Sequence, residues 1–421
     1  MSSPNPNANL GTVSCPPTTV RLLNRISDVS ADDWDRLWPE HNPFLRHGFL
    51  SALEDSGSAD PDSGWAPCHL LLEHEGRAVA GMPLYRKSHS YGEFVFDWAW
   101  ADAWQRHGLA YYPKLVSAVP FTPSAGPRIG LAAGWDQDAL TRRLMQAMHE
   151  QLEGEGASSW HGLFPDAPSC ALLQASDSRL LERHDVQFHW FNRDFDHFEA
   201  FLMSLRSSRR KNVRRERRRV AAQQVQLRRR VGDEIDEAAW DAFYRCYRAT
   251  FLKRSGHGGY LTREFFTLLR ERLASQLMLT EATQEGEVVA GALFLFDRNT
   301  LYGRWWGCLA ELDCLHFEAC FYQGIEFAID QGLQRFDPGT QGEHKLLRGF
   351  EPVTTQSLHY IADPRFRQAV ASYVAEEREH RQRYGAQAAA YLPFRRDQDL
   401  TDQTGVTERP DRAGRNTDES A

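Results

Sequence analysis

The chain has 421 residues, of which 42% are hydrophobic and 12% aromatic, and its formal net charge is −8. That is enough apolar material for a large core and long for a single one, so a globular protein of two domains is expected. No apolar run approaches the eighteen or so residues that a membrane span needs, and the opening MSSPNPNANLG lacks a basic region followed by an apolar one, so a cytoplasmic protein is expected.

In chain order, residues 1–18 are rich in Pro, Asn and Ser and are expected to be a disordered N-terminus. The segment CHLLLEHEGRAVAGMPL, from Cys68 to Leu84, reads as strand, tight Glu-Gly turn and strand. FVFDWAWADAW, from Phe94 to Trp104, reads as a further strand whose alternation puts Phe96, Trp98 and Trp100 on one side and Asp97 on the other. Asp97 is therefore a candidate to bind or deprotonate an amine, with Asp102 assisting; the competing reading is an Asp that caps the next turn. Lys114 and Arg128, flanked by Pro and aromatic residues, are candidate anion contacts, against plain loop charge. ALTRRLMQAMHEQLEGEGASSWHGLFPD, from Ala139 to Asp166, gives a helix, Gly and a strand. After the strand-like DVQFHWFNR a boundary is placed near Asp194, dividing the chain into a first domain over 19–194 and a second over 195–394, with a disordered tail over 395–421.

The second half opens on RSSRRKNVRRERRR, Arg206 to Arg219, with nine cationic side chains and one Glu; outside it 40 Lys and Arg face 56 Asp and Glu. On a helix this run sets like charges at i,i+4 five times, from Arg206–Arg210 to Arg215–Arg219, each worth roughly 0.2–0.5 kcal/mol of repulsion. A solvated helical face is one reading; the other is a grip on phosphates through Arg209, Arg210, Lys211, Arg214 and Arg218.

EGEVVAGALF, from Glu285, echoes EGRAVAGMPL, from Glu75, at a spacing of 210 residues and again sits between apolar strand-like runs. HFEACFYQGIEFAIDQGLQRFDPG then repeats the helix, Gly and strand of the first half, with Phe317, Phe321, Gly324, Ile325 and Ala328 on one face, Asp313 as the expected N-cap and Gly332 at C′. A duplicated, mixed α/β fold follows. Glu318 and Tyr322, four residues apart and off the Phe stripe, could form an acid/base pair or face a neighbouring element. In GTQGEHKLLRGF, after a strand ending at Asp337, His344 has the side chain whose ordinary pKa suits proton transfer near neutrality, and Lys345, Arg348 and the strand residue Arg304 are candidate substrate contacts. Seven scattered cysteines, among them Cys320 four residues after His316, fit neither a disulfide framework nor a zinc site, so no metal is expected.

The duplicated hairpin, third strand, helix and strand resemble the GNAT acyltransferase core in tandem. Together with PFTPSAGPRIGL (Pro120 to Leu131), RRKNVRRERRRVAAQQVQL, FDPG (Phe336 to Gly339) and HKLLRGFEP (His344 to Pro352), they resemble the FemAB-like branch of that superfamily. The resemblance implies two GNAT-like domains with the site between them. It implies a bacterial transferase that moves an acyl or aminoacyl group to an amine, with aminoacyl-tRNA or acyl-CoA as co-substrate rather than a bound cofactor, a cell-wall precursor or other amine as acceptor, and tRNA as a partner for the basic helix. GCLAELDCLH, before the second helix, has one Gly and two acids, Glu311 and Asp313, where acyl-CoA enzymes cradle a pyrophosphate on bare backbone N–H groups; this disfavours acyl-CoA. An acyl-CoA-dependent N-acetyltransferase and a non-catalytic RNA- or envelope-binding protein are the alternatives.

Overall fold

The computed structural model describes residues 17–38, 42–340 and 342–395, so the terminal segments read above as disordered lie almost wholly outside it. The first half contributes β1 (Thr19–Leu23), β2 (Trp65–Pro67), β3 (His69–His74), β4 (Arg77–Met82), β5 (Tyr85–Lys87), β6 (Lys114–Ser117), β7 (Gly130–Leu131), β8 (Ser159–Leu163) and β9 (Leu181–Phe191). The second contributes β10 (Gln226–Val231), β11 (Leu277–Gln284), β12 (Glu287–Phe296), β13 (Thr300–Cys308), β14 (Arg335–Asp337) and β15 (Glu351–Ile361). A four-stranded sheet is ordered β1-β3-β4-β7, and an eleven-stranded one β10-β11-β12-β13-β14-β9-β15-β8-β6-β5-β2.

The sequence echo is geometric. Both Glu-Gly turns have positive φ at both residues, 50° and 76° at Glu75 and Gly76, 53° and 85° at Glu285 and Gly286, which suits the right-handed twist of a two-residue hairpin. Each hairpin also shifts register at the same place, between Leu72 and Glu73 and between Ala282 and Thr283. The helices that follow are built alike. Asp136 caps the helix Gln137–Gly154, which buries Leu140, Leu144, Met148 and Leu152. In the second half, the helix over 315–330 buries Ala319, Ile325 and Ala328 and contains a π turn, Glu318–Tyr322.

The halves exchange their last strands. β9 leaves the first half to pair antiparallel with β14, β15 returns to pair antiparallel with β8, and β9 and β15 pair with each other from Glu351↔His189 to His359↔Leu181. One sheet therefore runs through both halves, and the chain passes Asp194 with β9 already joined to second-half strands.

Three local expectations are corrected. Residues 98–106 form a helix, not a strand, because Trp100 and Trp104, at helical spacing, are the buried pair: Trp100 meets His359 and Trp104 stacks on Phe366 with ring centroids 3.9 Å apart. Asp313 is not the N-cap of the second-half helix; Cys314, at φ 65°, takes that position while Asp313 pairs with Arg219 at 2.9 Å. The basic run forms the helix Ser207–Ala222, anchored by Val213 and Val220, and part of its charge is answered by acids from elsewhere in the fold. Arg214 pairs with Glu199, Arg217 with Glu318 at 3.0 Å and Glu326 at 2.5 Å, and Glu216 with Arg348 at 2.7 Å.

Candidate functional site

β13 and β14 run parallel only over Thr300–Tyr302 and Arg335–Asp337, then diverge. A cavity of about 460 Å3 opens in the gap, walled by Phe251, Trp305, Trp306 and Phe321 and carrying Arg254, Arg304, His316, Cys320, His344 and Lys345 as its ionisable side chains. Gly307 lets the helix Glu237–Ser255 close on β13: a Cβ there would lie 2.2 Å from the backbone of Cys246.

The floor joins segments far apart in sequence. The Asp337 carboxylate is buried and accepts from Ser124 Oγ at 2.8 Å and the Gly339 amide at 2.8 Å, with His189 Nε2 3.6 Å away. Burial alone would raise its pKa, but His189 and Arg304 hold it below the usual carboxylate value. Arg304 donates to the same Ser124 Oγ at 2.6 Å. Beside them Lys345 is buried and donates to the carbonyls of Gly339 at 2.6 Å and Thr340 at 3.2 Å. An ammonium has three donors, so among the described residues one N–H remains for a bound group. Burial, partly offset by Asp337, lowers the Lys345 pKa to about 8, so at neutral pH it is still mostly charged.

His344 stands at the cavity wall, its ring 5.6 Å from Phe321 and 6.2 Å from His316. Gly342 is required beneath it, because a Cβ there would fall 2.2 Å from the imidazole and φ is 103°. Burial first, then Arg348 and Lys345, lower the His344 pKa, and burial lowers that of His316 to about 4. Both rings are neutral at pH 7 and able to accept a proton.

The other residues singled out in the sequence are placed differently. Glu318 and Tyr322 turn away from the cavity toward the basic helix: Glu318 accepts from Arg217 and from Gln323 at 2.8 Å, and Tyr322 donates to Glu216, so neither stands as a free acid/base pair. Arg348 donates to Glu216, to Tyr322 Oη at 3.0 Å and to the His344 carbonyl at 2.8 Å, which makes it the brace of the His344 turn. Arg128 is 2% exposed and donates to four carbonyls, those of Leu163, Gly126, Pro127 and Ser124; its donors tie loop to loop and are closed to an anion. Lys114 is fully buried between Glu93, at 2.8 Å, and Asp97, and also donates to Ser90. Burial pushes the Glu93 carboxyl up to about 7, whereas Lys114 overcomes burial at Asp97 and holds it near 2. Asp97 is thus an internal counter-ion rather than a base for substrate, and Asp102 is exposed on its helix with no ion pair among the described residues. On the basic helix Arg210 donates to the Leu205 carbonyl, Arg214 has Glu199, and Arg209 is half-buried, which leaves Lys211, Arg215 and Arg218 as an exposed stripe.

Ser124, His189 and Arg254 were not singled out from the sequence, and His316 was weighed there only as a metal ligand beside Cys320. One signal was present: QFHWF (Gln187 to Phe191) and SLHYI (Ser357 to Ile361) are the two exchanged strands, and their register makes His189 and His359 counterparts.

A family model described as peptidoglycan biosynthesis/recognition, FemAB-like, matches residues 25–396. The crystal structure of FemX superposes with a TM-score of 0.50 at 12% identity, covering 82% of this chain and 98% of that one. A tandem GNAT protein from the clavulanic acid biosynthesis pathway gives 0.45 at 10% identity, covering 83% and 99%, and L-PGS from Bacillus licheniformis 0.46 at 11%, covering 80% and 98%. No curated protein matches the chain. The FemX superposition establishes the tandem GNAT-like fold and nothing finer. No described helix is long and apolar enough to cross a membrane.

Proposed function

Because the chain belongs to the FemAB-like family of peptidoglycan biosynthesis/recognition proteins, we propose that it is an N-acyltransferase that moves an acyl or aminoacyl group from an activated donor onto an amine of a cell-wall-type acceptor, with its centre in the cavity beside β14. The observation that carries this reading is the pairing, in one apolar cavity, of an ammonium with an N–H unused among the described residues, on Lys345, and a neutral imidazole, on His344.

The acceptor nitrogen attacks the donor carbonyl carbon, and a C–N bond forms as the carbonyl electron pair moves onto oxygen. The Lys345 N–H meets that oxyanion, held in place beforehand by its two carbonyl partners. His344 takes the proton that the nitrogen loses and returns it to the leaving group as the carbon–leaving-group bond breaks, so donor and amine become amide and protonated leaving group with nothing left over. Arg348 fixes the turn that presents His344.

Acyl-CoA remains the less favoured donor, for a reason different from repulsion. Glu311 and Asp313 are neutralised by Lys253 and Arg219, but two of the loop's backbone donors are engaged: the Asp313 amide donates to Gln223 Oε1 at 3.0 Å and the Leu315 amide to the Leu312 carbonyl at 3.2 Å. Those two amides are not available to a pyrophosphate. The stripe Lys211, Arg215 and Arg218 suits phosphates of a tRNA or of a nucleotide- or lipid-linked substrate, and activated donors of those kinds place the reaction in the cytoplasm. Purified protein incubated with amine acceptors and a panel of acyl donors, read by mass spectrometry, tests the reading. Amide product that falls about a hundredfold in His344→Ala and Lys345→Met supports it; product formation unchanged in both variants, or absent with every donor, rejects it.

A further inference from the structure

The charge around the cavity narrows the donor. Arg254, Arg304 and Lys345 line it, and no Asp or Glu does among the described residues. The nearby carboxylates are already engaged. Asp337 is 1% exposed and faces Ser124, the Gly339 amide, His189 and Arg304. Glu216 holds Arg348 and Tyr322, and Glu318 holds Arg217 and Gln323. The C-terminal end of the helix Glu237–Ser255 also borders the cavity, but Lys253 and Arg254 in its last turn answer its partial negative charge.

An aminoacyl donor carries its ammonium two bonds from the reacting carbon. With the carbonyl oxygen on Lys345, that ammonium would lie about 5 Å from a second ammonium, which at a near-surface dielectric weakens binding on the order of a hundredfold. The remaining lining, Phe251, Trp305, Trp306 and Phe321, suits an aromatic or alkyl group.

Resting on the acyl-transfer reading, we infer that this cavity selects an apolar acyl group that carries no ammonium, delivered on an anionic leaving group, over an aminoacyl group. The cations that repel an ammonium would favour the anionic leaving group.

Calorimetry on the full chain at pH 7 with three near-isosteric probes, 3-phenylpropanoate, 3-phenylpropanamide and 3-phenylpropylamine, tests the order. The expected result is propanoate tightest and the amine at least about tenfold weaker than the amide, with Arg254→Glu shrinking that gap. An amine that binds as well as the amide, held by cation–π contact with the tryptophan wall, overturns the inference, as does a propanoate that does not bind. Transfer from 3-phenylpropanoyl phosphate and from a phenylalanyl ester separates this from the broader reading. Faster transfer from the phenylalanyl ester overturns the inference and leaves acyl transfer standing. The expected binding order with no amide from any donor rejects acyl transfer and leaves the charge selection of the cavity standing.

Discussion

The two halves meet the same topological fork and treat it in opposite ways. In the second, β13 is continuous, parts from β14 after Tyr302, and the gap is the cavity. In the first, β6 runs parallel to β8 over Leu115–Ser117 and Trp160–Gly162, but the strand is then interrupted, and resumes as β7 only at Gly130. The intervening loop 118–129 lies along the segment after β8. The Gly126 amide donates to Phe164, the Asp166 amide donates to Gly126, and Arg128 rivets the layers. Register makes His161 and His359 the counterparts of Asp337 and His189. The first pair is sealed, with Nδ1 atoms 2.6 Å apart and Ser159 and Ser357 on the outer nitrogens; the second underlies the cavity. Charge follows the same division: the first half encloses Lys114 with two carboxylates, whereas the second lines an opening with Arg254, Arg304 and Lys345, which make no direct ion pair among the described residues. Duplication supplied two forks, and closing one turned it into support for the other, since the closing loop also carries Ser124 to Asp337 and Arg304.

The sharpest way to break the comparison is to pull the rivet. Arg128→Met leaves buried carbonyls without their donor and is expected to cost about 3 kcal/mol or more in denaturant unfolding, with faster hydrogen exchange at the Gly126 and Asp166 amides; a smaller loss would mean that the loop closes without it. Asp97→Asn strips Lys114 of one buried partner and is expected to cost about 3 kcal/mol while leaving kcat within about twofold. A large kcat loss at unchanged stability would return Asp97 to the chemistry. In the second half the pH profile should be bell-shaped. Activity rises as His344 loses its proton below its ordinary pKa of 6.5, and falls as Lys345 loses its own near pH 8. Lys345→Met should abolish the alkaline limb of what activity remains.

The sealed histidines predict a gentler effect. Burial depresses both pKa values, that of His161 to about 3, so below about pH 6.5 the unfolded chain binds more protons than the folded one and stability declines as pH falls. Thermal unfolding between pH 7 and 5 should show this, with a flatter slope in a His161→Gln, His359→Gln double variant. The smallest effect is expected from Lys211→Gln, Arg215→Gln and Arg218→Gln together, within about 0.5 kcal/mol of wild-type stability, because their side chains are exposed and the internal ion pairs use other positions.

The duplication was legible down to the hairpin turns because Glu-Gly turns and apolar alternation are local signals. The motif segments were legible as pieces, and FDPG, HKLLRGFEP and PFTPSAGPRIGL do converge on Asp337, Lys345 and Ser124. Their roles were not, since Arg128 looks the same in sequence whether its donors meet carbonyls or an anion. FVFDWAWADAW was misread because its aromatic residues satisfy a period of two, while the partners that select helix, His359 and Phe366, lie more than 250 residues further along. The relief of the basic run was hidden for the same reason: Glu318, Glu326 and Asp313 reach it only through the fold.

The strand exchange has a consequence for synthesis. The β8 edge, from Ser159 to Leu163, finds its lasting neighbour only when Ser357 to Ile361 have been made. At about 5–20 residues per second, the ribosome keeps that edge waiting on the order of ten seconds or more. During that time Trp160 and its neighbours present an unpaired strand to anything nearby, including the same edge on another nascent chain. This protein should therefore depend on chaperones early and be sensitive to stop codons late: a product ending shortly before Glu351 would keep the second half's strands β10 to β14 and still leave the first half unfinished.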